Sequence, residues 1–148
     1  MTTCFATMFL KLPSVLAAIG ILALAAVAYA AGHVTTYYVD FPKGYEGRTY
    51  TRTIKGEDSN DYLIRKVEDD QKLDVTISSS NKAVFFDVYD PKGTNPRFTG
   101  WKDGEHFAGR FPNGGTVRVH VYQRYEVAAR NENATYSMTI VPGDVPAR

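Results

Sequence analysis

Every second residue is apolar from Leu73 to Ile77, from Val84 to Val88 and from Val117 to Val121. A two-residue period sends successive side chains to opposite faces, so each of these runs reads as a half-buried strand. Thr116–Gln123 is the clearest case, with Val117, Val119 and Val121 on one face and Arg118, His120 and Tyr122 on the other. Asp87 falls on the outward face of its run, and Tyr136, Met138 and Ile140 close the series. Val34–Phe41, Arg48–Lys55, Asp61–Val67 and a weaker run at His106–Phe111 complete about eight candidate strands.

Turn chemistry separates these runs at short intervals: Pro42-Lys43-Gly44, Lys55-Gly56-Glu57-Asp58, Asp90-Pro91-Lys92-Gly93 and Pro112-Asn113-Gly114-Gly115. Glycine supplies positive φ and proline presets its own, so these stretches reverse the chain. No window holds a helical period. The expectation is a single all-β domain over residues 31–148, an antiparallel β-sandwich of jelly-roll type, with Pro142–Arg148 a loose tail.

Residues 1–30 are read as a separate object. Lys11 precedes an apolar run, Leu12–Ala31, that exits through Ala28-Tyr29-Ala30. A basic start, an apolar centre and a small-residue A-x-A exit are the marks of a secretory signal peptide. The run is also just long enough to serve as an uncleaved anchor. Cys4 lies ahead of the run, where lipoprotein processing would not reach it. Cleavage after Ala30 leaves 16 basic and 16 acidic side chains and no cysteine. Such a domain folds without disulfides and suits a bacterial periplasm or secretion, with no membrane attachment once the leader is gone. Asn133-Ala134-Thr135 is formally a glycosylation sequon, which carries no meaning in a bacterial chain.

The chemistry expected of the chain is defined by exclusions. Balanced charge gives no footprint for nucleic acid. There is no G-x-S-x-G elbow, P-loop, H-E-x-x-H or G-x-G-x-x-G, and residues 31–148 hold no thiol nucleophile. His33, at a frayed new terminus, His106 and His120 share no ligand spacing, so surface histidines are favoured over a metal site. Glu57-Asp58-Ser59-Asn60-Asp61 is rich in oxygens but lacks the spacing of an EF-hand loop and reads as a solvated turn. Neither an enzyme nor a cofactor is expected, although a carboxylate pair of glycosidase type has no sequence signature that would reveal it.

Charge distribution says more than charge sum. Glu57–Asp74 holds seven acids and three bases, Lys92–Arg130 seven bases and three acids. The second segment includes Arg118 and Arg124-Tyr125…Arg130, in a stretch from Gln123 to Asn133 that is too long for a hairpin turn. A protruding loop bearing Arg and Tyr has the composition of an interface anchor. The same arginines could equally pair with Glu126 and Glu132 and simply solubilise an edge.

Val39-Asp40-Phe41-Pro42-Lys43-Gly44, Ile54-Lys55-Gly56, Asp61-Tyr62, Gln71–Ser78, Thr116–Gln123 and Tyr136–Ile140 together resemble the periplasmic inhibitors of g-type lysozyme. The likeness lies in the order and spacing of these segments across most of residues 31–148. It implies an exported bacterial β-sandwich that blocks a lysozyme by placing loop arginines and a tyrosine in its cleft. A guanidinium there would meet the catalytic carboxylate in a water-poor site. Arg124, Tyr125 and Arg130 match that role, with Arg118 and Glu57 as further candidate contacts. Two departures stand out. Glu57 occupies the place of an aromatic residue, where an acid would be repelled by an acidic cleft, and the loop arginines align only after a shift of about one position. The alternative is a non-catalytic envelope or glycan-binding sandwich resembling the pre-peptidase C-terminal domains. In that reading Tyr37, Tyr38, Trp101, Phe107 and Tyr122 are either stacking platforms or core and rim packing.

Overall fold

The structure is a computed structural model that describes residues 31–42 and 44–144. The expected leader, including Lys11 and Cys4, lies outside the described residues, as do Lys43 and residues 145–148. No helix among the described residues is long and apolar enough to cross a membrane.

Among the described residues, nine strands and two single-turn helices follow in the order β1 (Val34–Val39), β2 (Arg48–Lys55), β3 (Ser59–Val67), β4 (Gln71–Ser79), β5 (Val84–Tyr89), β6 (Pro96–Thr99), α1 (Gly100–Asp103), β7 (His106–Phe111), β8 (Gly115–Gln123), α2 (Tyr125–Ala128) and β9 (Asn133–Pro142). They form a five-stranded sheet, β1-β3-β8-β5-β6, over a four-stranded sheet, β2-β9-β4-β7. The β-sandwich expectation is borne out, with one more strand than the alternation revealed. β6 escaped because it begins with proline and buries only Phe98, which suits an edge strand. One pair departs from antiparallel order. β1 runs parallel to β3, because β2 crosses to the other sheet and the chain then returns.

Alternation does what it promised in the centre of each sheet. Val117, Val119 and Val121 of β8, Leu73, Val75 and Ile77 of β4, and Tyr136, Met138 and Ile140 of β9 are all buried in one cluster. Phe86, Phe98, Phe107 and Phe111 extend it as an aromatic chain with centroid spacings of 5.0, 5.5 and 6.0 Å. Phe107 therefore packs in the core, and Tyr37 stacks on buried Tyr62 at 5.1 Å. Burial and the 2.7 Å hydrogen bond between the Tyr62 and Tyr136 hydroxyls keep Tyr62 protonated far above the ordinary tyrosine range. Outside, β2 and β9 are laced by hydroxyl pairs, Thr49–Thr139 at 2.8 Å, Thr51–Ser137 at 2.9 Å and Thr53–Thr135 at 2.8 Å.

Several local expectations change. The His33 end is not frayed: its N–H donates to Asp58 Oδ1 at 2.9 Å and its carbonyl accepts from Ser59 N–H at 3.0 Å. Pro142 closes β9, and Gly143 N–H donates to Lys72 O at 2.7 Å, so the loose tail does not begin there. Asp87 does leave the inner face as expected, yet it is buried. It lies where Gly100 N–H at 3.2 Å and the Tyr122 hydroxyl at 3.0 Å both donate to it, and desolvation raises its pKa.

Candidate functional site

The end of the sandwich that carries the expected site is organised by a residue the alternation hides. Gln123 occupies the next inward position after Val117, Val119 and Val121, and it is 5% exposed. Its Nε2 donates to Glu132 O at 2.9 Å, Gly56 O at 3.2 Å and Ile54 O at 3.5 Å. Gly56 N–H also donates to Glu132 O at 3.0 Å. One amide thus ties the β2–β3 turn to the far shoulder of the β8–β9 connection. Glycine suits position 56: its φ is +55°, and a Cβ would lie 2.6 Å from Asn131 Oδ1, which would have to shift. A polar residue in the inward frame of an otherwise apolar strand was the sequence signal for Gln123.

The connection is not an extended arm. Arg124 N–H donates to Ala83 O at 2.7 Å, then α2 makes one turn, closed by Ala129 N–H to Tyr125 O at 2.8 Å and Asn131 N–H to Ala128 O at 2.8 Å. Asn131 takes a left-handed φ of 55°, which ends the turn. Ala128 is buried beneath it, while Tyr125 stands 75% exposed. Arg124 Nε lies 3.0 Å from Glu126 Oε2, and Arg130 Nε bonds Glu132 Oε1. Both cations therefore have local partners. The backbone amide of Glu126, with Arg124, holds that carboxyl below the usual range. These pairs sit in water, where such contacts are weak and exchange readily for another carboxylate.

Glu57 is brought to the same end by the Gly56 tether and is exposed. Arg118 is not. It sits about 20 Å back along β8 at the strand rise, on the outer face, with its guanidinium carbon 3.9 Å from the Tyr89 ring centre and Nη1 3.8 Å from Asp61.

Strand pleating also scatters the oxygen-rich segment. Asp58 accepts from the His33 amide, Asn60 turns inward to donate to Tyr136 Oη at 2.7 Å, and Asp61 turns outward to His120 Nδ1 at 2.6 Å. Ser59 and Asn60 are buried, not solvated. His106 pairs with Asp74 at 2.9 Å. Among the described residues no three His, Cys, Asp or Glu side chains converge to hold a metal ion.

No protein-family model matches the chain, and no curated protein matches it. Among solved structures it is similar to PliG of Aeromonas hydrophila, a periplasmic lysozyme inhibitor of g-type lysozyme, at 26% identity and a TM-score of 0.66, over 76% of this chain and 99% of that one. PliG of Salmonella Typhimurium, likewise a periplasmic inhibitor of g-type lysozyme, is similar at 24% identity and TM-score 0.57, over 73% and 97%. The pre-peptidase C-terminal domain of a Bacillus anthracis collagenase shares the fold at 15% identity and TM-score 0.51, over 75% and 97%. The resemblance read from the ordered segments is thus borne out in three dimensions.

Proposed function

We propose that the chain is an exported bacterial lysozyme inhibitor acting by protein–protein contact, without catalysis of its own, in the periplasm or after secretion. The observation that carries this reading is the likeness to the Aeromonas hydrophila inhibitor over nearly the whole of that chain. The target is a lysozyme of g type, and the contact is the α2 end: Arg124, Tyr125 and Arg130, with Glu57 beside them. Inside an acidic cleft each arginine exchanges a solvated glutamate for a catalytic carboxylate with less water around it, a stronger charge-assisted bond. Tyr125 supplies an exposed ring of the kind that anchors interfaces. Glu57 opposes the approach, so affinity rests on the arginines outweighing it. Arg118 contributes from a distance, through the field of the basic half of the chain.

The test is lysis of peptidoglycan suspensions, followed by turbidity, with g-type, c-type and i-type lysozymes and the purified protein. Slowed lysis by the g-type enzyme, lost in Arg124→Ala and Arg130→Ala, is the expected result. Inertness towards all three classes removes the reading and leaves a non-inhibitory envelope-binding sandwich.

A further inference from the structure

Beside the arginine turn lies an open cleft of about 380 Å³, lined by Phe85, Trp101, Tyr122, Arg124, Tyr125 and Glu126. Phe85 of β5 and Tyr122 of β8 are register partners with ring centres 6.3 Å apart. The Tyr122 hydroxyl is committed to Asp87, which fixes that ring in place. Trp101 comes from α1 and Tyr125 from α2. Four large apolar side chains stand exposed among the described residues, and two of them, Trp101 at 67% and Tyr125 at 75%, line this cleft. Nothing in the sandwich core needs them there. Exposed aromatic faces gathered in a concavity with a polar rim mark a ligand surface.

We propose that this cleft binds a neutral pyranose saccharide. The lining is aromatic and planar rather than aliphatic and rounded, which suits the flat C–H face of a sugar ring. The rim supplies one cation and one anion, 3.0 Å apart. That pair presents donors from Arg124 and acceptors from Glu126 side by side, matching hydroxyls that donate and accept at once. An anionic ligand would be opposed by Glu126 and a cationic one by Arg124. A hydrocarbon would leave both unused. The volume lies in the ordinary range for small-ligand sites, about 300–1,000 Å³. The inference goes beyond lysozyme inhibition, because Trp101, Phe85 and Tyr122 have no part in the proposed contact with the enzyme.

Trp101 is the single tryptophan of the chain, so intrinsic fluorescence reports on this cleft directly. The purified protein is titrated with tri-N-acetylchitotriose and, in parallel, cellotriose, with no lysozyme present. The expected result is a saturable change in Trp101 emission with at least one of the two. By calorimetry, affinity falls about tenfold in Tyr125→Ala and in Trp101→Ala and is largely kept in Trp101→Phe, as expected for loss or retention of ring stacking. Both side chains are exposed, so the far-ultraviolet circular dichroism of these variants stays that of the parent. No saturable change with either saccharide overturns the proposal, as does binding that survives both alanine substitutions. Emission that responds to lysozyme alone also overturns it and assigns the cleft to the protein contact. The two readings fail separately, since Trp101→Ala is expected to slow g-type lysozyme as well as the parent does.

Discussion

Replacing Gln123 with Glu keeps the shape of the side chain and reverses the chemistry of its tip. In the parent, Nε2 donates to three backbone carbonyls and Oε1 is a buried acceptor with no hydrogen-bond partner. In Gln123→Glu a carboxylate would face three carbonyl oxygens in a site that is 5% exposed. Desolvation and the carbonyl dipoles both oppose ionisation, so its folded pKa rises. Fully buried carboxyls shift by up to 3–5 units; taking about 2–3 units at 1.36 kcal/mol each gives a loss of roughly 3–4 kcal/mol at pH 7. The sign follows from the raised folded value. The protonated acid can still donate one hydrogen bond, so most stability survives below the unfolded glutamate pKa of about 4.3. It is lost as the pH climbs through the raised folded pKa, between roughly 4.5 and 7. For a domain of this size each kcal/mol moves the melting temperature by about 4 °C. Thermal melts should therefore show Gln123→Glu about 12–16 °C below the parent at pH 7.5 and within a few degrees at pH 4. Amide exchange at Gly56, whose N–H donates to Glu132 O, should quicken at the higher pH. An equal deficit at both pH values, or none, would refute the assignment of Gln123 as the tether between the two shoulders of the site.

Three further perturbations follow from the same contacts. Glu126→Gln combined with Glu132→Gln unpairs both loop arginines, so the inhibition constant against a g-type lysozyme should fall or hold. A rise measured by turbidity would mean that the glutamates themselves touch the enzyme. Tyr136→Phe strips the buried acceptor from Asn60 Nδ2 and the partner from Tyr62 Oη, and should cost about 1–3 kcal/mol in urea denaturation. Asp87→Asn keeps an oxygen for the Gly100 amide and the Tyr122 hydroxyl. Burial raises the folded pKa of Asp87, so its contribution is complete below the ordinary aspartate value and lost as the pH rises through the folded one. In paired melts the variant should gain on the parent as the pH rises above the ordinary aspartate value of about 3.9.

The central strands were legible because a buried sheet face imposes a period of two that no turn or loop imitates. β8 and β4 follow their alternation residue by residue. β6 was not legible, since a four-residue edge strand opening on Pro96 buries a single apolar side chain. The parallel β1–β3 pair was invisible for a different reason. Local pattern specifies which face is buried, not which sheet a strand joins. At the site, the residue types and approximate position of Arg124, Tyr125 and Arg130 could be read, and so could the possibility of their pairing with Glu126 and Glu132. Whether the connection protrudes could not, because that depends on Ala128 finding cover and on Gln123 reaching Gly56, 67 residues away in sequence, while also holding Glu132. The cleft is likewise a product of topology, joining Phe85, Trp101, Tyr122 and Tyr125 from four elements.

The claim on which the functional reading turns is that the α2 end is the surface that meets the enzyme. Amide hydrogen exchange of the protein alone and saturated with a g-type lysozyme measures this most directly. The expected result is new protection confined to Arg124–Glu132 and the Gly56–Asp58 turn, diminished in Arg124→Ala. Protection on the outer face of β3, β8 and β5 around Arg118 and Tyr89, with the α2 end unchanged, would contradict it.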